Sequence, residues 1–154
     1  MNFNSQICTT KEQSERLFAL GLKKETADME IHSFKDDEQE TFETGCANKG
    51  YMDPEFAEIV DCFPAWSLHR LMCLCPDKLG SDDGGERASW DMYAPDEYEL
   101  QISQTGCQYL DDDARYGGER LNYFYENGNI YDALISCIEW LIKEGYFNKE
   151  YLEE

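Results

Sequence analysis

No apolar run in this 154-residue chain approaches the roughly 18 to 20 residues that a membrane-spanning helix needs. The opening residues, Met1-Asn2-Phe3-Asn4-Ser5-Gln6, carry neither the basic n-region nor the apolar stretch of a secretory signal. Basic side chains are scarce: 13 Lys and Arg stand against 33 Asp and Glu, for a formal charge of −20. That balance repels phosphate backbones and anionic lipid alike, so it argues against direct nucleic-acid and membrane partners. The expectation from these absences is a soluble protein kept in the cytoplasm.

What is present describes a folded surface. Hydrophobic residues make up 42% and aromatics 14%, too much for a disordered acidic tail. The charge is −4 over residues 1–50, −9 over 51–100 and −7 over 101–154, so no detachable tail carries it. The length suits one domain, 1–154. The seven cysteines are an odd number, and without an export signal they read as reduced thiols. Cys137, inside a helical apolar pattern, reads as a small hydrophobe.

Element signals are uneven along the chain. Thr10 with Gln13 three residues on forms a capping-box pattern for a helix ending near Leu20, with Gly21 as its stop. Residues near 35–50 read as an acidic, loop-rich segment, with Met29, Ile31 and Phe34 before it available for a short strand or to anchor a loop. Pro54 to Ile59 is expected to form a turn of helix. A helix is predicted from Pro64 to Pro76, with Leu68, Leu71, Met72 and Cys75 as its apolar stripe. Gly80 to Gly85 reads as a loop. Tyr98, Leu100 and Ile102 alternate with polar residues as in a half-buried strand, followed by strands at Cys107–Leu110 and Leu121–Tyr125. Asn129 then caps an apolar helix stopped by Gly145, and a last turn is expected at Asn148–Leu152. The expected fold is α+β: a small antiparallel sheet of about three strands packed by helices in a single domain.

Four stretches also carry a resemblance. They are Thr10-Lys11-Glu12-Gln13-Ser14 with Leu17, Leu20, Gly21 and Leu22; Ala27-Asp28-Met29; Pro64-Ala65-Trp66-Ser67-Leu68; and Ala133 through Cys137-Ile138-Glu139-Trp140-Leu141-Ile142 to Gly145-Tyr146. In that order they resemble small uncharacterised proteins of phages, prophages and integrative elements of Bacteroides-type gut bacteria. The resemblance implies a mobile-element origin and a bacterial host cytoplasm. It brings no catalytic residues with it.

Chemical motifs are weak. Cys62, His69, Cys73 and Cys75 fall close together, but Cys73 and Cys75 point about 200° apart on a helix, which disfavours a tetrahedral zinc set. Asp111-Asp112-Asp113 opens like a calcium loop, yet Tyr116 and Asn122 occupy the places where an EF-hand needs Gly and Glu. A Cys/His dyad would have to use His32 or His69, and no nucleophile elbow or phosphate loop occurs. No metal, cofactor or catalytic residue is therefore assigned, and a non-enzymatic role is expected.

The excess charge is the remaining functional signal. The expected partner is a basic host protein, such as a nucleic-acid-binding defence protein whose groove an acidic inhibitor would occupy. The contact residues would be Asp36, Asp37, Glu38, Asp82, Asp83, Asp111, Asp112 and Asp113. The alternative is a small-ligand-binding or enzymatic domain using an aromatic sheet face, with a pocket flanked by Tyr98, Tyr123 and Tyr125. The sequence leaves the oligomeric state open.

Overall fold

The computed structural model describes residues 6–35, 41–48, 59–80, 97–111 and 120–153, with side chains at all of these except 34–35, 41–48, 59–60, 97 and 111. The chain is α+β, and its internal contacts gather into two compact units, Met1–Cys73 with Asn148–Glu154 and Leu74–Phe147. No described helix is long and apolar enough to cross a membrane.

The first unit opens with α1 (Lys11–Ala19). Thr10 and Gln13 make the expected capping box, each side chain accepting from the other's backbone N–H. At the far end Gly21 N–H reaches the Phe18 carbonyl and Leu22 N–H the Leu17 carbonyl, a Schellman closure that seats buried Leu22 against buried Leu17. The three-stranded antiparallel sheet has the order β2-β1-β3, with β1 Met29–Lys35, β2 Thr41–Asn48 and β3 Ile59–Ala65. Met29 and Ile31 of β1 pair with Ala65 and Phe63 of β3, and these four residues with Cys8 form one apolar cluster. Phe18 of α1 closes over it, edge-on to the Phe63 and Trp66 rings.

Two expectations change here. Residues 41–48 form β2, where a loop was expected. Thr41, Phe42 and Thr44 suit an extended backbone, and pairing with β1 outweighs the two acids nearby. The helix expected from Pro64 starts only at Leu68, as α2 (Leu68–Leu74). Pro64 and Ala65 instead complete β3, an edge strand on which a missing N–H is tolerated.

Hydrogen bonds fix that boundary. Trp66 N–H donates to Thr9 Oγ1 at 2.9 Å and Thr9 N–H donates to the Trp66 carbonyl at 2.9 Å, which holds the backbone extended through Trp66. Ser67 then acts as the cap: its N–H and Oγ–H donate to the two Asp28 carboxylate oxygens at 2.8 and 2.6 Å, while its Oγ accepts from Arg70 N–H at 3.1 Å. The Trp66 indole donates to Thr26 Oγ1 at 3.0 Å, and Arg70 Nε donates to the Thr26 carbonyl at 2.7 Å. A 3₁₀ turn at Lys149–Tyr151, the expected last turn, brings Leu152 into a bridge with Leu22.

The second unit holds a four-stranded antiparallel sheet in the order β4-β5-β6-β7: β4 Lys78–Gly80, β5 Glu97–Ile102, β6 Gly106–Asp111 and β7 Arg120–Tyr125. The three strands of the expected sheet are β5, β6 and β7, and the short strand open to Met29, Ile31 and Phe34 is β1; β2, β3 and β4 are additional. Gly106 sits where the hairpin crosses β7, and a Cβ there would collide with the Phe124 carbonyl. α3 (Ile130–Glu144) packs on β6 and β7, capped by Asn129 and closed by Gly145 at φ +83°. Ala133, Leu134, Ile135, Cys137, Ile138 and Leu141 of α3 are fully buried. Of the helical turn expected at Pro54 to Ile59, residues 54–58 lie outside the described residues and Ile59 opens β3; of the loop expected at 80–85, only Gly80 is described, and it ends β4.

Candidate functional site

Of the acidic residues singled out as a contact surface, Asp36, Asp37, Glu38, Asp82, Asp83, Asp112 and Asp113 lie outside the described residues. Asp111 is the last residue of β6, where its backbone pairs with Tyr98.

A different cluster is assembled by strand register. Glu30 and His32 alternate with the cluster residues Met29 and Ile31, so they share the sheet face away from the apolar cluster. His32 pairs directly with Cys62 of β3, which places the thiol on that face as well. Donor atoms of Glu30, His32 and Cys62 all lie within 4.8 Å of one another. His32 Nε2 is 3.5 Å from Glu30 Oε2. His32 is buried, Glu30 half-buried and Cys62 exposed. Desolvation, with the Glu30 carboxylate as hydrogen-bond partner and like neighbour to a thiolate, pushes the Cys62 thiol up to about 11, so it is protonated at neutral pH.

The cysteines and histidines weighed together in the sequence therefore part company. Cys62 joins His32; His69 and Cys73 face each other on the exposed side of α2 with Nε2 and Sγ 3.5 Å apart; Cys75 is buried in the second unit. Glu30 was missed, although Glu30-Ile31-His32 carries the period-two spacing that puts two donors on one face of a strand. The Cys62 partnership rests on pairing between segments 30 residues apart and has no local signal.

The cysteine reading also needs one correction. Cys62, Cys73, Cys75, Cys107 and Cys137 are free, but Cys8 is disulfide-bonded, so the cysteines are not all reduced. Sequence parity alone says nothing about which sulfurs the fold brings within bonding range. In the second unit Cys137 is buried as expected. Hydrogen bonding with Cys107 and then Cys75, followed by burial, holds its thiol protonated far above the ordinary range. Cys107 Sγ also contacts the Ala133 carbonyl at 3.8 Å. Burial, and after it the neighbouring Cys75, raises the Tyr109 phenol in the same direction, and its hydroxyl donates to the Pro76 carbonyl at 2.7 Å.

The aromatic sheet face takes a simpler form than expected. Gln108 of β6 pairs with Tyr123 of β7, and Tyr123 and Tyr125 stack with centroids 6.4 Å apart and planes 15° from parallel, both exposed. The Arg120 guanidinium lies 5.0 Å over the Tyr123 ring. A surface hollow of about 470 Å³ is lined by Gln101, Gln108, Arg120 and Tyr123 among others. Of the three tyrosines expected around a pocket, Tyr123 lines it and Tyr98 and Tyr125 do not. Through Leu100↔Tyr109 and Ile102↔Cys107 pairing, Tyr98 belongs to the opposite face, which α3 covers at β6 and β7.

Comparison of the chain with known protein families, curated proteins and solved structures finds no match in any of the three.

Proposed function

We propose that this is a non-enzymatic acidic binding protein of a phage or mobile element, acting in the host cytoplasm on a basic host protein. The observation that carries the reading is the charge: if every one of the 13 bases neutralised one acid, 20 carboxylates would remain. That excess is spread along the sequence, −4 over residues 1–50, −9 over 51–100 and −7 over 101–154, which supports an acidic surface over a detachable acidic tail. Such a surface matches a groove built to hold a phosphate backbone, and its long-range field steers a basic partner toward it. A nucleic-acid-binding defence protein is the partner class that the mobile-element resemblance favours.

Affinity capture from host lysate at low and high salt, followed by association kinetics with the purified partner, tests this. The association rate should fall by about tenfold or more between low and high ionic strength. Nucleic acid should compete for the same groove, and neutralising Asp111, Asp112 and Asp113 together should slow association. A complex indifferent to salt, or recovery of abundant ribosomal proteins alone, overturns the reading.

A second reading has its own observation. The stacked Tyr123–Tyr125 pair with Arg120 above it is the arrangement that accepts a flat, negatively charged ligand. Quenching of tyrosine fluorescence by nucleotides, lost in Tyr123→Ala, would support it; nucleotides that leave the emission unchanged would remove it.

A further inference from the structure

We propose that Glu30, His32 and Cys62 form a binding site for a thiophilic divalent cation of the zinc class. Three side chains of three donor types converge on one sheet face, with their donor atoms within 4.8 Å of one another. The convergence is imposed by the fold. Met29↔Ala65 and Ile31↔Phe63 bury the opposite face, so a one-residue slip of β1 against β3 would expose that core. Register therefore holds His32 opposite Cys62, and strand alternation holds Glu30 beside His32.

Distance and chemistry then select the ion. Zinc bonds of about 2.0–2.3 Å in a tetrahedron set neighbouring ligand atoms roughly 3.3–3.8 Å apart. The Glu30 Oε2–His32 Nε2 separation of 3.5 Å already falls in that range. Cys62 is exposed, so rotation of its side chain can bring Sγ onto the third vertex. The exposed side of the cluster leaves a fourth vertex for water, the arrangement of an open three-ligand site. On binding, Cys62 loses its thiol proton to solvent. The thiolate and the Glu30 carboxylate then balance the two charges of the cation, with neutral imidazole as third ligand. Thiolate and imidazole favour zinc-class ions, whereas magnesium and calcium take oxygen ligands. The site is separate from the His69–Cys73 pair on α2, which offers two donors and lies on another element.

The test uses the full chain, stripped with chelator and handled without oxygen, so that Cys62 stays reduced and the Cys8 disulfide stays intact. Zinc is titrated by calorimetry, and cobalt(II) serves as an optical probe for a sulfur-to-metal charge-transfer band. One equivalent of zinc should bind and the cobalt band should appear. Cys62→Ser should abolish the band, and both Cys62→Ser and Glu30→Gln should weaken zinc by more than about tenfold. Cys73→Ser should leave both signals intact. Cys62 and Glu30 are not fully buried, so these variants keep the test valid even if His32→Gln fails to fold; circular dichroism of each metal-free variant verifies that. Zinc binding unchanged in Cys62→Ser, lost in Cys73→Ser, or matched by magnesium at the same concentration would overturn the proposal, the last because it marks diffuse attraction to an acidic surface.

Discussion

The first unit buries Thr9, Gln13, Ser14, Thr26 and His32, whereas the buried side chains described in the second are aliphatic, aromatic or thiol. The first is organised around Trp66, whose backbone and indole are bonded to Thr9 and Thr26 and whose neighbour Ser67 is clamped by Asp28. The second rests on the apolar face of α3 against β6 and β7. Hydrophobic burial scales with area and tolerates exchange of shape for shape. A buried polar network holds one arrangement and is costly when half-broken. The difference teaches where specificity resides: the second unit should resist conservative change, and the first should not.

Deleting the central side chains should give the largest effects. Trp66→Ala should destabilise by about 3–5 kcal/mol, and Leu134→Ala by about 2–5 kcal/mol, in urea unfolding. Hydrogen exchange should locate the first loss in residues 6–35 and 59–73 and the second in residues 120–147. If both variants raise exchange evenly over the whole chain, the units do not differ in the way their cores imply.

Near-isosteric exchange separates the units more sharply. Thr26→Val leaves the Trp66 indole N–H without its acceptor in a buried place and should cost about 1–3 kcal/mol. Asp28→Ala removes two charge-assisted bonds to Ser67 and should cost about 1.5–3 kcal/mol. Ile135→Leu in α3 should cost less than about 1.5 kcal/mol. Equal costs for Thr26→Val and Ile135→Leu would erase the distinction.

Sequence legibility follows the same division. α3, β5, β6 and β7 were readable because apolar periodicity and local caps determine them, and α1 because Thr10, Gln13 and Gly21 mark both ends. In the first unit β1 is open as a short strand through Met29, Ile31 and Phe34, whereas β2 is masked by its acids and β3 by a partner far along the chain. Thr41–Asn48 looks like an acidic loop until β1 pairs with it, and Pro64 looks like a helix start until Thr9 and Glu30 claim its neighbourhood. The stretches around Asp28 and Trp66 each carry a local motif, but their joint role as the clamp on α2 depends on tertiary contact. For the candidate site, Glu30 and His32 share a two-residue spacing open to inspection, while the approach of Cys62 depends on long-range register.

Thiol chemistry sharpens the comparison at one exposed residue. Relative to an ordinary cysteine near 9, the Cys62 thiol is pushed up to about 11. At pH 8 its thiolate is roughly a hundredfold scarcer, and the greater nucleophilicity of a more basic sulfur offsets about half of that on a logarithmic scale. Metal-free protein should therefore be alkylated at Cys62 about tenfold more slowly than free cysteine, with Glu30→Gln speeding the reaction. Since the folded state keeps the proton longer than the unfolded chain, stability should fall as pH rises from about 9 to 11. Mass mapping of iodoacetamide labelling against pH checks both; a rate equal to that of free cysteine would show that neither desolvation nor Glu30 holds the proton on the thiol in solution.

The smallest effects concern the helix N-termini, one in each unit. Asn129→Ala removes the 2.9 Å bond from Tyr131 N–H to Asn129 Oδ1, and a lost cap of this kind costs about 1 kcal/mol. Thr10→Ala removes a longer bond, 3.3 Å from Gln13 N–H, and leaves the reciprocal half of the box in place. Gln13 Oε1 still accepts from Thr10 N–H at 2.9 Å and from Gln6 Nε2 at 2.6 Å, so the polar surroundings hold the first turn. Thr10→Ala should thus cost about 0.5 kcal/mol, the low end for an N-cap. Gln13→Ala should cost more than Thr10→Ala, because Gln13 is buried and its Oε1 accepts two bonds, from Thr10 N–H and Gln6 Nε2. Thermal unfolding of the three variants gives the order; if Thr10→Ala proves costlier than Gln13→Ala, the network around α1 is anchored by the threonine and the first unit's polar order is more local than its geometry implies.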